Sequence, residues 1–228
     1  MVLEQTQNIK DYELPLHKLH DLAPDIPWSD FSRLSPGASP IEVCQIIGEW
    51  YANHSNKARK HFAGQFFTPP IVARYMANLA GILQNQVRIL DPGAGIGILA
   101  CALCEAALQQ HTSSLSIVAY EADPVLAPLC SFTLNYIQNI LHEQGIELSF
   151  ELHQQDFVAA IAEQTISLWS DDTKPQHPFD LVILNPPYFK VNQKDMRAQL
   201  VKDIAHGCTN MYTMFMYNGP RKLDRWLR

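Results

Sequence analysis

Asn185, Pro186, Pro187 and Tyr188 end an apolar run, "FDLVIL", and their types suit one kind of chemistry. An amine conjugated to a planar ring is a poor nucleophile because its lone pair is delocalised into the ring. Two hydrogen-bond acceptors facing the NH2 would draw it toward tetrahedral geometry and localise that pair. The Asn185 side-chain oxygen and the Pro186 main-chain carbonyl supply two acceptors, and the prolines hold them stiffly without a competing N–H. Tyr188 offers an aromatic face on which a base could stack, a contact worth roughly 1–3 kcal/mol in single-strand-binding proteins. Taken alone, the tetrapeptide reads equally as a proline-broken strand end with a surface tyrosine.

A second group of residues could hold a partner for that amine. "RILDPGAGIG" puts Asp91 at a strand end, then Pro92 and glycines at 93, 95 and 97 ahead of a helix. Such a turn lets backbone approach a ligand closely, and the helix N-terminus favours a negative group. The dinucleotide fingerprint wants its third glycine at position 98, where Ile stands, and no Lys-Ser/Thr pair completes a phosphate loop. A nucleotide-like ligand without a pyrophosphate fits better, although a plain tight turn is the competing explanation. In "SIVAYEAD" a carboxylate at Glu121 could accept two hydrogen bonds from a ribose diol, while Asp123 before Pro124 suits a helix cap. In "HQQDF", Asp156 could accept from an exocyclic amine as Phe157 packs on a purine face; an ordinary strand-ending acid is the alternative. If the donor is a sulfonium methyl, already activated for in-line displacement, no metal or strong base is required, and positioning and electrostatics carry the catalysis.

These residues need a scaffold that brings strand ends together. Apolar strands at "VRIL", "LSIVAYE", "IELSFELHQQDF" and "FDLVILNPP" alternate with helical runs at "ILACALCEAALQQ", "DPVLAPLCSFTLNYIQNILHEQG" and "VAAIAEQTI". That alternation predicts an α/β fold, a doubly wound and mostly parallel sheet covered on both faces, with ligands at the carboxyl ends of its strands. Ahead of it, Ile41, Cys44, Ile47 and Tyr51 recur at helical spacing, predicting a helix over 41–60, and "IVARYMANLAGIL" predicts another. Residues 1–60 are expected to form an N-terminal extension of irregular and helical structure, and 61–228 the catalytic domain.

Bulk properties narrow the class. With 228 residues and 47 % hydrophobic content, the chain can bury one sizeable core. A net charge of −6 argues against a dedicated nucleic-acid coat protein, though a local basic groove can hide inside an acidic total. Five cysteines do not suggest a disulfide framework, and Cys101 and Cys104 are expected to be small core residues of a helix. The first twenty residues lack the order of a signal peptide and no apolar run is long enough to span a bilayer, which predicts a cytoplasmic protein without a membrane partner.

"GQFFTPP", "LDPGAGIG", "AYEAD", "QQDF" and "NPPYFK", in that order over about residues 60–216, resemble motifs X, I, II, III and IV of the S-adenosylmethionine-dependent DNA adenine-N6 methyltransferases, in the gamma arrangement of bacterial restriction-modification systems. The resemblance implies a Rossmann-like class I fold, S-adenosyl-L-methionine as cofactor and an adenine flipped out of double-stranded DNA as substrate. Phe66, Thr68 and Pro69 would meet the methionine end of the cofactor; Asp91, Pro92, Gly93 and Gly95 would line it; Glu121 would hold its ribose, and Asp156 and Phe157 its adenine. Asn185, Pro186, Pro187 and Tyr188 would treat the target base, and "TNMYTMF" nominates Phe215 as a second aromatic wall. The set with NPPY also occurs in enzymes that methylate protein glutamine or RNA adenine, which "GQFFTPP" disfavours.

In this family the last strands and the target-recognition domain follow motif IV, whereas here "MYNGPRKLDRWLR" follows and the sequence stops at Arg228. Two alternatives result: a fragmentary methyltransferase, or one that takes DNA recognition from a separate recognition or restriction subunit. A cofactor-binding module without catalysis of its own is the competing hypothesis. Arg221, Lys222, Arg225 and Arg228 could touch phosphate, but solvated surface is the commoner role of a terminal cluster.

Overall fold

The structure is a computed structural model that describes residues 37–54, 67–81, 83–110, 112–161, 179–188, 190–192, 195–200 and 210–218. Phe66, the end of the expected 41–60 helix, the polar loop at 170–178 and the four terminal basic residues lie outside them.

Helix α1 spans Pro40–His54 and begins on a reciprocal cap. The Ser39 amide donates to Glu42 Oε2 (2.8 Å) and the Glu42 amide to Ser39 Oγ (3.3 Å), with Pro40 at the first helical position where its missing N–H costs nothing. Ile41, Cys44, Ile47 and Tyr51 are all buried, as their spacing predicts, and they enter the same core as the sheet. Helix α2 spans Pro70–Leu79 and packs on helix α3, Ile98–Ala107, whose Cys101 and Cys104 are fully buried. The Glu105 carboxylate joins all three helices: Oε1 accepts from the Ile41 amide at 3.1 Å, and Oε2 lies 3.7 Å from Arg74.

Strands β1 (Gln86–Asp91), β2 (Ser114–Tyr120), β3 (Glu147–His153) and β4 (Leu181–Val182) pair in parallel in the order β3-β2-β1-β4. Helix α4 (Leu126–Glu143) connects β2 to β3; its Pro128 falls in the first turn, where a missing N–H breaks no bond. Short helices α5 (Met196–Leu200) and α6 (Met211–Asn218) follow β4. β4 is shorter than "FDLVILNPP" suggested. Pairing to β1 nonetheless continues past its ends, because the Asp180 amide donates to the Arg88 carbonyl (2.9 Å) and the Ile183 amide to the Leu90 carbonyl (3.0 Å).

Alternation along β1 serves two cores. Ile89 joins the cluster under α1, α3 and α4, whereas Leu90 joins Tyr120, Phe157, Met211, Met214 and Phe215 on the other face. Each fully buried aliphatic such as Ile89 or Ile117 contributes about 1.5–3 kcal/mol from desolvation. The chain winds outward from β1 to β3 and then returns to place β4 on the opposite side of β1. That reversal leaves a crevice beyond the carboxyl ends of β1 and β4.

Candidate active site

Asp91 ends β1 and Asn185 follows β4 by three residues, so the glycine turn and the Asn-Pro-Pro-Tyr corner face each other across the crevice. A cavity of about 390 Å³ opens there. Pro92, Gly93, Gly95, Glu121, Asp156, Phe157, Asn185, Pro186, Pro187 and Phe215 all line it. Both residue groups singled out by type and spacing therefore meet in one space, of the size that small-molecule sites occupy. Tyr188, Thr68, Pro69 and Asp91 are not among the lining residues, but Tyr188 and Thr68 hydrogen-bond Asn185, which is, and Asp91 immediately precedes the lining Pro92.

The glycine turn is held from three sides. The Ala94 amide donates to the Tyr120 carbonyl (2.9 Å), the Gly95 amide to Glu121 Oε2 (2.8 Å), and the Thr133 hydroxyl of α4 to the Ile96 carbonyl (2.6 Å). A Cβ on Gly93 would sit 3.2 Å from the Phe215 ring, so the turn packs close under an aromatic lid. Gly97 adopts φ +82° at the start of α3, and a Cβ there would lie 3.0 Å from Thr133 Oγ1 and 3.2 Å from Cys130 Sγ. Gly97→Ala combines left-handed strain with a crowded contact and is expected to destabilise the protein by about 2–4 kcal/mol in urea unfolding, with the turn displaced.

Glu121 already has protein partners: it is 8 % exposed and both oxygens accept amides, Oε2 from Gly95 and Oε1 from Asp123 (2.7 Å). Its second lone pairs remain, and burial pushes its pKa up to about 7, against the pull of the Asp123 and Gly95 amides. Asp123 does cap α4: Oδ1 accepts from Val125 (2.7 Å) and Leu126 (3.4 Å), and the Tyr51 hydroxyl donates to Oδ2 at 2.8 Å. Asp91 is completely buried, and neither carboxylate oxygen has a hydrogen-bond partner. Burial raises its pKa to about 7. The nearby Gly93 amide offsets part of that without closing a full hydrogen bond, and the Glu121 charge adds to it.

At the opposite wall the Asn185 amide nitrogen donates to Thr68 Oγ1 at 3.0 Å, and Asn185 Oδ1 accepts from the Tyr188 hydroxyl at 3.1 Å. Thr68, itself buried, thus reaches Asn185 across 117 residues of sequence and fixes which way its amide points. Tyr188 is 57 % exposed and stacks on Tyr212, with centroids 5.8 Å apart and planes at 19°. Phe215 lies elsewhere: it is buried 5.6 Å from Phe157, over Gly93, on the glycine side of the cavity. Phe157 in turn meets Tyr120 edge-on at 5.2 Å.

Two partners of this site escaped the sequence reading. Tyr212 sits one helical turn before Phe215 in α6, and Arg197 comes from α5. Arg197 Nη1 donates to Asp156 Oδ2 (2.9 Å), while Nε and Nη2 grip Asp195 Oδ1 and Oδ2 (2.9 and 2.7 Å). That grip holds the Asp195 carboxyl below its ordinary range. Only the closely spaced Asp and Arg at 195 and 197 could have hinted at it, and nothing in the sequence pairs them with position 156.

A model of the family described as N-6 DNA Methylase matches residues 43–216. The chain is 30 % identical over 154 residues to the type II methyltransferase M.BsuBI of Bacillus subtilis and 29 % identical over 153 residues to M.PstI of Providencia stuartii. Each match covers 67 % of this chain, which spans only 30 % and 29 % of those relatives' lengths. Among solved structures, a Listeria monocytogenes protein assigned to the class I S-adenosylmethionine-dependent methyltransferases superposes with a TM-score of 0.51 at 16 % identity, covering 82 % of this chain and 51 % of its own. A Vibrio vulnificus protein assigned as the modification subunit of a type I restriction enzyme gives 0.53 at 19 % identity, covering 82 % and 37 %. At such identities the likeness establishes the fold, that of class I methyltransferases.

Proposed function

The chain belongs to the N-6 DNA methylase family, and from that premise we propose that it moves a methyl group from S-adenosylmethionine to the N6 amine of an adenine turned out of duplex DNA, within a bacterial restriction-modification system. The observation that carries this is that one cavity is lined both by the glycine turn with its acids and by Asn185 and Pro186.

The lining suits that cofactor. When bound, S-adenosylmethionine supplies an electrophilic methyl group on a sulfonium centre. Among the described residues, Glu121, Asp123 and Asp156 line the cavity against one cation, Arg197, which favours a ligand of net positive charge. The unpartnered Asp91 carboxyl below the turn adds to that field once it ionises above its pKa of about 7. We assign Asp156 and Phe157 to the adenine, Glu121 to the ribose through its remaining lone pairs, and Pro92, Gly93 and Gly95 to the close approach of backbone. Thr68 and Pro69, with Phe66 before them, are assigned to the methionine end. Phe215, buried over Gly93, is better suited to the cofactor side than to the target base.

On the other wall, Asn185 Oδ1 keeps one lone pair beyond its bond from Tyr188, and the Pro186 carbonyl lies beside it in the chain. Together they would accept the two N–H groups of the target amine and localise its lone pair. Pro187 stiffens the corner, and the exposed Tyr188 ring, with Tyr212 next to it, offers the base a stacking surface. The amine proton leaves to solvent after transfer. Duplex DNA is the proposed partner, presented with the help of a separate recognition or restriction polypeptide in the bacterial cytoplasm; among the described residues no helix is long and apolar enough to cross a membrane.

The test is incubation with methyl-labelled S-adenosylmethionine and unmethylated bacterial DNA, with candidate partner subunits added, followed by nucleoside mass spectrometry. N6-methyladenine is the expected product. Label that never reaches adenine under any of these conditions overturns the proposal.

A further inference from the structure

Arg197 is the feature of the cavity that neither composition nor motif foretold. It arises on α5, beyond the Asn-Pro-Pro-Tyr corner, yet its guanidinium crosses to the end of β3 and bonds Asp156 Oδ2 at 2.9 Å. Its other two nitrogens each donate to Asp195 in a bidentate pair, the geometry that fixes a guanidinium plane rather than merely neutralising a charge. Asp156 is therefore clamped on both oxygens, because Oδ1 accepts the Ala159 amide at 3.0 Å. Both partners are about a quarter exposed, so the pair is neither fully solvated nor sealed.

A carboxylate clamped in this way has one free lone pair per oxygen, aimed in a set direction. We infer that Arg197 is a positioning residue for the adenine end of the cofactor: it orients Asp156 so that the carboxylate selects a ligand with an exocyclic amine over one with a carbonyl at the same place. The inference rests on the assignment of Asp156 to the cofactor adenine. The Arg197–Asp156 bond also ties the start of α5 to the wall that carries Asp156, while Asp195 fixes the guanidinium from within its own segment.

Calorimetry on the full chain tests this with two ligands, S-adenosylhomocysteine and its inosine counterpart, which carries an oxygen in place of the amine. Wild type should prefer the adenine form by at least about tenfold, the range in which an unmade charged hydrogen bond is felt. Arg197→Met should reduce that preference to within about threefold. Arg197→Lys, which keeps a donor for Asp156, should restore part of it, and Asp195→Asn should lower it less than Arg197→Met; these two carry the test if Arg197→Met fails to fold. Equal weakening of both ligands, with the preference intact, would assign Arg197 a structural role only and overturn the inference while leaving the cofactor assignment standing. Wild type that binds neither ligand would overturn the cofactor assignment itself, and the inference with it.

Discussion

Asn185→Ala should lower methyl transfer to adenine by at least about 10²–10³-fold while S-adenosylhomocysteine binding stays within a few-fold of wild type. The asymmetry follows from where the amide points. Its nitrogen is spent on Thr68 and its oxygen accepts from the exposed Tyr188 hydroxyl, so it belongs to the wall opposite the glycine turn. Removing it would delete the proposed acceptor for the amine without touching Gly93, Gly95, Glu121 or Asp156. Thr68→Val should lower transfer more weakly, because it frees the Asn185 amide to rotate without removing it, and, with Thr68 assigned to the methionine end, some loss of ligand affinity should accompany it. Parallel loss of ligand affinity and transfer in Asn185→Ala would mean that the residue serves the fold or the cofactor instead.

Asp91→Asn should make the ligand-free protein more stable at pH 8, by about 2–4 kcal/mol, while weakening cofactor binding. A fully buried carboxylate without a partner is costly, and its pKa of about 7 in the folded chain, driven by burial, lies well above the ordinary value near 4 in the unfolded one. The sign is set by proton counting. Between about pH 4 and 7 the folded state holds a proton that the unfolded state has lost, so this group's penalty is absent below about pH 4, grows through that window and is complete above about pH 7. Glu121, raised to about 7 by burial, contributes in the same sense. The stability gap between variant and wild type should therefore shrink as pH is lowered from 7 toward 4. At this chain length the gain at pH 8 corresponds to roughly 5–15 °C in thermal midpoint. Such a cost is tolerable where it supplies negative charge beneath a cationic ligand. A variant less stable than wild type at pH 8, or a gap indifferent to pH, would contradict this explanation.

How far these features could be read from the sequence depends on the range of the interactions behind them. The parallel sheet, the glycine turn and the Asn-Pro-Pro-Tyr corner are local patterns of apolar runs and breakers, and they emerge where the spacing places them. Cys101 and Cys104 were legible as core from the helical run around them. Glu121 was legible as an acid at a strand end, but not as one whose oxygens are already engaged, because that depends on how the Gly95 amide folds back over β2. Phe215 and Tyr212 lie three residues apart on one short helix, and the sequence does not say which face meets the cavity; packing sends Phe215 to Phe157 and Tyr212 to Tyr188. Arg197 was invisible because its clamp joins segments 41 residues apart, and salt bridges of that range leave no periodic trace.

The proposed reaction turns on one geometric condition: a single crevice would have to hold the methyl donor on its glycine side and receive the amine at Asn185 and Pro186. A crystal structure with S-adenosylhomocysteine measures it most directly. The ligand's adenine is expected between Asp156 and Phe157, its ribose on Glu121, and its sulfur facing the Asn185 amide across the cavity. A ligand seated elsewhere, or one whose sulfur is walled off from Asn185, would contradict it.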